Sequence, residues 1–252
     1  MLTRVLNAFE IGMGLSLSAS YLRVQLQTEV AGREAMRQLF DIEQLNLSAG
    51  QSLALYGPSG SGKTTLLNLL AGLSHLPGSK IFWRKTTLGQ SDWHQDITKL
   101  QGGALDRWRL RNIGLVFQQF QLLPTMTALE NVLAPYRFDH WRCPPSARER
   151  ATVTLNQFGI AAKANTGRLS RGEQQRVALA RALVRTPEVI LADEPTASLD
   201  PVTAAQVMDI LIQHCRSSGL TLIVATHDSA LAPRFDRALT LRDGQLMPLT
   251  SV

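Results

Sequence analysis

The feature that most constrains this chain is a glycine-rich segment at residues 57–64, with the sequence GPSGSGKT. The apolar run LALY comes directly before it, and the apolar run LLNLL follows after Thr65. Gly57, Gly62, Lys63 and Thr64 match the pattern G-x-x-x-x-G-K-[ST], which is typical of a phosphate-binding loop between a strand and a helix. The segment therefore predicts a strand, a tight loop and a helix that together bind the phosphates of a nucleotide.

The backbone N–H groups of such a loop are the physical basis of this prediction. Glycine tolerates positive φ, so successive N–H groups can point into one concavity and bind an anion. The following helix adds free donors and a dipole worth about 0.3–1 kcal/mol per charge, which is too little to hold a triphosphate alone. We therefore expect the Lys63 ammonium and a metal ion on the Thr64 hydroxyl to contribute. The predicted phosphate-binding residues are Gly57, Ser59, Gly60, Ser61, Gly62, Lys63, Thr64 and Thr65.

Composition limits the class of protein to which this chain can belong. With 252 residues and an apolar fraction of 44%, the chain can form one large or two small domains whose core needs no disulfide or metal. Its two cysteines are far apart and lack metal-ligand spacing, which favours free thiols in a reducing compartment. No apolar run is long enough to span a bilayer, and residues 1–20 lack the pattern of a signal peptide.

The net charge of +6 makes nucleic acid and the anionic cytoplasmic face of a membrane candidate partners. The arginines are scattered, however, and no long basic block or base-stacking motif accompanies them. We therefore expect solvated basic faces with some phosphate-facing arginines, and no nucleic-acid partner.

Strand-like apolar runs alternate with helical patterns, which is typical of an α/β protein with a mainly parallel sheet. Strands are predicted at residues 15–26, 39–47, 51–56, 80–83, 113–117, 189–192 and 220–225, with a hairpin at 238–249. Helices are predicted at residues 64–73, 105–111, 127–133, 147–158, 172–184 and 201–215. We further expect residues 28–38 to be a hairpin loop or linker, Ser146 to cap the helix at 147–158, and residues 102–103 to form a loop.

Polar residues follow three of the predicted strands, where ligands bind in open α/β sheets. Asp193 and Glu194 are adjacent and so point to opposite faces, which predicts different roles. One carboxylate can hold Mg²⁺ and the other can orient an attacking water. Gln118 can ligate Mg²⁺ or bind water, and His227 can donate a hydrogen bond to the γ-phosphate. The alternatives are an ordinary strand-end turn for the two carboxylates and a structural role for His227.

Five motifs, in this order, resemble those of an ATP-binding-cassette (ABC) ATPase subunit. They are GPSGSGKT at 57–64, Gln118 after VF, LSRGEQ at 169–174, LADEPTASLD at 191–200, and HD at 227–228. The most specific is LSRGEQ before QRVALARAL, here called the signature segment, because phosphate-loop proteins at large lack it. The runs FQLLPTMTALENV and LADEPT look most like the branch that comprises lipoprotein-releasing, macrolide-export and cyanobacterial glycolipid-export ATPases.

This resemblance implies an α/β fold of the P-loop NTPase (RecA-like) type. Its parts would be a core with a mainly parallel sheet, an N-terminal antiparallel β part and a helical subdomain. The chain would be a single nucleotide-binding domain over residues 1–252, with the core at about 15–120 and 186–252 and the helical subdomain at about 121–185.

The resemblance also implies which residues bind ATP and its metal. Lys63 and the backbone amides of residues 59–64 would hold the β- and γ-phosphates. Thr64, Gln118 and Asp193 would hold Mg²⁺.

Further roles concern hydrolysis and a second subunit. Glu194 would be the general base, and His227 would contact the γ-phosphate. Asp200 would lie in a loop that crosses a dimer interface, while Ser170 and Gly172 would reach the ATP bound to the second subunit. In the family, two such subunits enclose two ATP molecules head to tail, so a homodimer is expected.

The sequence departs from the family pattern at three places. Arg171 replaces a glycine, and it either extends into solvent or adds a charge near the phosphate of the other subunit. Glu173 replaces a glutamine and is given no catalytic role. The aromatic residue that stacks on adenine is absent from residues 30–34, and Tyr21 is a substitute if residues 25–39 loop out.

The resemblance implies a cytosolic ATPase subunit, peripheral on the inner face of the cell membrane, that drives a separate integral membrane permease. Export or extraction of a hydrophobic substrate is expected, with the permease contact around residues 120–131. The alternatives are an ABC ATPase that regulates a membrane protein without transport, or one that acts in DNA repair or translation. The latter proteins usually carry two cassettes, long coiled coils or zinc motifs, which this sequence lacks.

Overall fold

The structure is a computed structural model that describes residues 14–30, 33–85, 93–138 and 143–249. The strands are β1 (Ser16–Val30), β2 (Arg33–Leu47), β3 (Ser52–Tyr56), β4 (Lys80–Lys85), β5 (Trp93–Asp96), β6 (Ile113–Val116), β7 (Val189–Asp193), β8 (Thr221–Thr226), β9 (Arg237–Arg242) and β10 (Gln245–Pro248). The helices are α1 (Lys63–Leu70), α2 (Gly102–Asn112), α3 (Ala128–Leu133), α4 (Pro145–Gln157), α5 (Arg171–Leu183) and α6 (Pro201–Ser217).

The larger sheet has the strand order β10-β9-β3-β8-β7-β6. Its strands from β9 to β6 pair in parallel, and β10 pairs antiparallel with β9 as the expected terminal hairpin. Strand β7 is buried along its whole length, and its side chains alternate between two apolar clusters. Val189 and Leu191 pack with α1 and the smaller sheet, whereas Ile190 and Ala192 pack with helices α3 to α6. Such double coverage explains the continuous apolar sequence of this strand.

The smaller sheet is antiparallel, with the order β2-β1-β4-β5, and it is the expected N-terminal β part. Strand β5 was not anticipated from the sequence, where its WHQD run shows no apolar pattern. The expectation of a loop or linker at residues 28–38 is wrong: the backbone continues β1 to Val30 and resumes as β2 at Arg33. Pairing with the opposite strand satisfies the backbone there, so polar composition does not prevent strand formation.

Two local expectations at helix starts are also wrong. Helix α4 begins at Pro145 with Pro144 as its N-cap, so Ser146 lies inside the first turn. Proline fits the first helical position because its fixed φ is already helical and its missing N–H has no partner to lose. Residues 102–103 belong to the first turn of α2 and do not form a loop.

The topology brings four strand ends to one edge of the larger sheet. Because β3, β8, β7 and β6 are parallel neighbours, their carboxyl ends, which precede the predicted functional residues, meet there. The mainly parallel α/β fold is thus confirmed. Within the described ranges, no helix is long and apolar enough to cross a membrane.

Candidate nucleotide-binding and hydrolytic site

The phosphate-binding loop of residues 57–64 joins the end of β3 to the first residue of α1. Gly62 is the N-cap of α1 and has a φ of 102°. A Cβ atom at this position would lie 2.8 Å from Cδ1 of Phe40, so the left-handed backbone and the space both require glycine. The side chain of the capping residue forms no hydrogen bond. The free N–H groups of the first turn of α1 are therefore available to an anion.

Lys63 lies inside this loop and is only 7% exposed. Its Nζ donates to the carbonyl O of Gly57 at 2.7 Å and to that of Pro58 at 3.1 Å. The same Nζ is 3.8 Å from Oε1 of Glu194. The ammonium is thus held by the loop carbonyls beside a carboxylate, at the place where a bound phosphate would need a positive charge.

Thr64 and Asp193 meet directly. The Thr64 hydroxyl donates to Oδ2 of Asp193 at 2.7 Å, while Oδ1 of Asp193 is buried without a hydrogen-bond partner. Burial raises the pKa of Asp193, and the charge of Glu194 raises it further, against the hydrogen bond from Thr64 and the charge of Lys63. A buried carboxylate oxygen without a partner is a site that a cation would satisfy.

A cleft of about 380 Å³ opens beside this pair and includes Gln118 in its lining with Thr64 and Asp193. The structure therefore brings together the three residues predicted to hold Mg²⁺. The described part of the chain contains no group of three or more His, Cys, Asp or Glu residues that could hold a metal. One carboxylate with neutral oxygens is a donor set that suits Mg²⁺, because that ion keeps several waters and also binds substrate phosphates.

Glu194 follows β7 and connects the loop lysine to His227. Its Oε2 is 2.9 Å from Nδ1 of His227, and its Oε1 faces Lys63. The backbone at Glu194 is left-handed, with a φ of 48°, and its N–H donates to the carbonyl of Ala225 at 2.9 Å. Glu194 and Asp193 thus have different contacts, as their adjacent positions predict.

The signature segment forms the start of α5. Ser170 is the N-cap, and a capping box links its side chain and backbone to Glu173. The pKa of Glu173 is lowered by the hydrogen bonds from the Ser170 side chain and backbone. Arg171 is exposed at the first helical position. A Cβ atom on Gly172 would lie 2.6 Å from Cδ2 of Leu199, so glycine allows the signature segment to pack against the loop that ends at Asp200.

Asp200 is the exposed N-cap of α6. Its Oδ1 accepts a hydrogen bond from the N–H of Thr203 at 3.1 Å. Hydrogen bonds from Thr203 lower the pKa of Asp200. No hydrogen bond or ion pair in the described residues joins Ser170 or Asp200 to the phosphate-binding loop of the same chain. Both residues are exposed.

Other candidate residues also have defined positions. Ser59, Gly60 and Thr65 lie in or directly after the phosphate-binding loop, and the hydroxyl of Ser61 is buried there without a partner. Tyr21 lies on β1, 62% exposed and with a φ of 57°. Within the described residues, β1 pairs with β4 as far as Ser20 and with β2 beyond it. The side chains of residues 30–34 lie outside the described part.

Sequence reasoning missed two side chains of α5 that contact the site. Gln175 donates to the backbone carbonyl of Glu194 at 3.1 Å, and Arg181 donates to the carbonyls of Phe120 and Gln121. A polar residue on the apolar side of an amphipathic helix is the signal that could have identified Gln175. Its hydrogen-bond partner could not be deduced from the sequence, because every residue has the same backbone carbonyl.

Comparisons with known proteins agree with this geometry. The model of the family described as ABC transporter matches residues 40–197. The lipoprotein-releasing ATP-binding protein LolD of Syntrophotalea carbinolica is 40% identical over 204 residues, which cover 80% of this chain and 86% of that protein. LolD 2 of Rhodospirillum rubrum is 42% identical over 234 residues, covering 92% and 94%. The macrolide export protein MacB of Rhodopirellula baltica is 41% identical over 207 residues, covering 79% and 28%.

Solved structures show the same likeness. The dimeric structure of MJ0796, described as a bacterial ABC transporter cassette, aligns with a TM-score of 0.78 at 31% identity, covering 94% of this chain and all of that one. A second MJ0796 structure, a post-hydrolysis state bound to ADP and Pi, aligns with a TM-score of 0.75. The family model, the relatives and the solved structures all agree with the geometry at the strand ends. This chain therefore belongs to the ABC transporter family as an ATP-binding and ATP-hydrolysing subunit.

Proposed function

We propose that this chain uses ATP binding and hydrolysis to open and close a dimer that drives a separate membrane permease. The observation that carries the proposal is the meeting of two residue sets at one sheet edge. Thr64, Gln118 and Asp193 line one cleft, and Lys63, Glu194 and His227 form a continuous line of polar contacts beside it. The first set fits a metal bound to phosphates, and the second set fits a phosphate and its attacking water.

Each residue of the candidate site has a distinct part in the proposed reaction. The loop amides and the Lys63 ammonium bind the β- and γ-phosphates. Thr64, Gln118 and Asp193 hold Mg²⁺, which would neutralise phosphate charge during transfer. The Glu194 carboxylate accepts a proton from the attacking water. His227 orients that carboxylate through its 2.9 Å contact and contacts the γ-phosphate.

A second copy of the chain completes the site in this proposal. Ser170 and Gly172 would contact ATP held by the partner, since the N-terminus of α5 offers backbone donors to an anion. Asp200 would lie at the interface. The dimeric form of the MJ0796 cassette supports this arrangement. We also propose that the whole chain is one nucleotide-binding domain, with its core at about residues 15–120 and 186–252 and a helical subdomain at about 121–185.

The permease and its substrate are inferred from the relatives. Proteins described as lipoprotein-releasing and macrolide-export components share about 40% of their residues with this chain over the matched region. An integral membrane permease and a hydrophobic substrate, exported or extracted at the inner face of the cell membrane, follow from that likeness. The exposed Leu123, with 48% of its surface accessible, lies in the segment 120–131 that we assign to the permease contact.

Purification of the tagged full-length chain from detergent-solubilised membranes tests this proposal. We expect an integral membrane protein to co-purify in the presence of ATP, and more strongly with the Glu194→Gln variant, because a closed dimer persists there. The matched control is Glu149→Gln, an exposed acid on α4, which should recover the same partner as the unmodified chain. Recovery of ribosomes or DNA without a membrane protein would contradict transport and support a role in translation or repair.

A further inference from the structure

Helix α5 carries two polar side chains whose hydrogen bonds end on the backbone of other elements. Nε2 of Gln175 donates to the carbonyl O of Glu194 at 3.1 Å. The guanidinium of Arg181 donates to the carbonyl O of Gln121 at 2.6 Å and to that of Phe120 at 2.7 Å. The described residues give Arg181 no carboxylate partner. These contacts therefore hold backbone in place rather than pair opposite charges.

The backbone at both contact points is unusual. Glu194 and Gln121 each have a φ of 48°. Left-handed backbone is unfavourable for residues that carry a Cβ atom, and it persists only where surrounding contacts hold it. At Glu194, the contact from Gln175 adds to the hydrogen bond between its own N–H and the carbonyl of Ala225. At Gln121, the guanidinium of Arg181 donates to the carbonyls of Phe120 and Gln121, which lie on either side of the left-handed φ angle.

The Gln175 side chain also brings an unpaired polar atom into the interior. Gln175 is 2% exposed, and its Oε1 is buried without a partner. A buried amide oxygen without a hydrogen bond destabilises the folded state. Burial also lowers the pKa of the Arg181 guanidinium. Polar groups that break a local packing rule are expected where they serve a function.

We propose that Gln175 and Arg181 are positioning residues that fasten Glu194 and the segment 118–123 to helix α5. The inference rests on the proposed function for the roles of Glu194 as base and Gln118 as metal ligand. Ser170 caps the same helix. Helix α5 therefore connects ATP bound to the second subunit, at the first turn of the helix, with the hydrolytic residues of this chain. Helix α5 thus transmits the arrival of the partner's ATP to the base and to the permease-facing segment.

Two substitutions test this role in the full-length chain. Gln175→Met keeps the volume but removes the donor and the unpaired oxygen, and Arg181→Lys keeps the charge but removes the fork. We expect kcat for ATP to fall about 3- to 30-fold in each variant, the range found for coupling residues without ligand contact. KM should stay within about twofold, because the phosphate-binding loop is untouched. The thermal midpoint of Gln175→Met should equal or exceed that of the unmodified chain. If Gln175 served only to stabilise the fold, the midpoint of this variant would be lower.

Matched controls carry the same chemical changes elsewhere. Gln157→Met alters an exposed glutamine on α4. Arg150→Lys alters an arginine whose Nη2 donates to the Tyr136 hydroxyl at 2.8 Å and to no atom of residues 118–123. Both controls should keep kcat within about twofold of the unmodified chain. Equal losses of kcat in controls and test variants would overturn the proposal.

Hydrogen–deuterium exchange separates positioning from hydrolysis. Loss of one hydrogen bond should speed amide exchange about 2- to 10-fold at the element it held. Gln175→Met should speed exchange of the Glu194 amide. Arg181→Lys should speed exchange of the Leu123 amide, which donates to Oδ1 of Asn131 at 2.7 Å. Unchanged exchange at both amides would overturn the proposal even if kcat fell. Full turnover in Glu194→Gln would instead refute the assignment of the base, and the exchange result would stand independently.

Discussion

The Thr64 hydroxyl donates a hydrogen bond to Oδ2 of Asp193 at 2.7 Å, although the two residues are 129 positions apart in the chain. This contact joins the first turn of α1 to the end of β7 and leaves the other carboxylate oxygen of Asp193 buried without a partner. The protein thus places a buried carboxylate oxygen at a position where a bound cation would satisfy it. Burial of a carboxylate oxygen without a hydrogen-bond partner is unfavourable for the fold without a ligand.

Asp193→Asn should therefore stabilise the metal-free protein while it abolishes Mg²⁺-dependent hydrolysis. Burial raises the pKa of Asp193, so the protonated form is favoured in the fold, and stability is lost as the pH rises through the raised pKa. At neutral pH the variant should gain about 1 kcal/mol, or roughly 2–4 °C in Tm for a chain of this size. The gain should shrink as the pH falls towards the unperturbed value of 3.8. Thermal unfolding without metal, at several pH values, measures this.

Asp236→Asn is the contrasting control for that experiment. Burial alone would raise the pKa of Asp236, but hydrogen bonds from Ser52 and Arg216 lower it overall. The contribution of Asp236 to stability is thus present at neutral pH and lost as the pH falls through the lowered pKa. Its replacement by asparagine should lower Tm at neutral pH. A Tm for Asp193→Asn below that of the unmodified chain would show that its carboxylate stabilises the empty fold.

Glu194→Gln should keep ATP binding but lower turnover about 10²- to 10⁴-fold, the usual contribution of a general base. The amide keeps the shape of the side chain beside Lys63 and His227, so the phosphate-binding loop stays intact. ATP should then trap the variant as a dimer, which size-exclusion chromatography with and without ATP detects. Hydrolysis at the unmodified rate would mean that another group accepts the proton.

Ser170→Ala and Glu173→Gln should differ in effect although they alter the same capping box. Loss of the serine hydroxyl removes the N-cap of α5 and should lower stability by about 1 kcal/mol, together with ATP turnover. Glutamine can still complete a capping box, so Glu173→Gln should retain most stability at neutral pH. Hydrogen bonds from Ser170 lower the pKa of Glu173, so the contribution of that carboxylate is present above 4.5 and lost as the pH falls through the lowered pKa. Urea unfolding at neutral and acidic pH compares the variants, and an equal loss in both would argue against the capping-box account.

Gly172→Ala should lower turnover without weakening ATP binding. The new methyl group would lie 2.6 Å from Cδ2 of Leu199 and push that side chain towards the loop that ends at Asp200. We expect a fall in kcat of about tenfold, within the range for displaced site elements, and an unchanged Kd for an ATP analogue bound to the phosphate-binding loop of the monomer, which the substitution does not touch. Gly103→Ala, in the first turn of α2 and 3.2 Å from the flexible Arg107 end, should be neutral or stabilising. Normal kcat in Gly172→Ala would show that the signature segment tolerates a shift of Leu199.

Much of the fold was predictable because its signals are local. The apolar run at residues 189–192 predicts a strand buried on both faces, and β7 is such a strand. The glycine-rich segment places the start of α1 within one residue of Lys63. The hairpin arms at residues 28–38 and strand β5 were not predictable, because their polar sequences are held by pairing with neighbouring strands rather than by their own periodicity.

The sequence by itself determined which residues stand at the strand ends and which family pattern they match, since a motif is a property of neighbouring positions. Only the tertiary structure decided which distant groups touch. It brings Thr64 to Asp193, and it places the buried Gln175 and the half-buried Arg181 against the carbonyls of Glu194, Phe120 and Gln121. Backbone carbonyls are the same in every residue, so no sequence can name them as partners. Chain folding alone selects those that a buried donor meets.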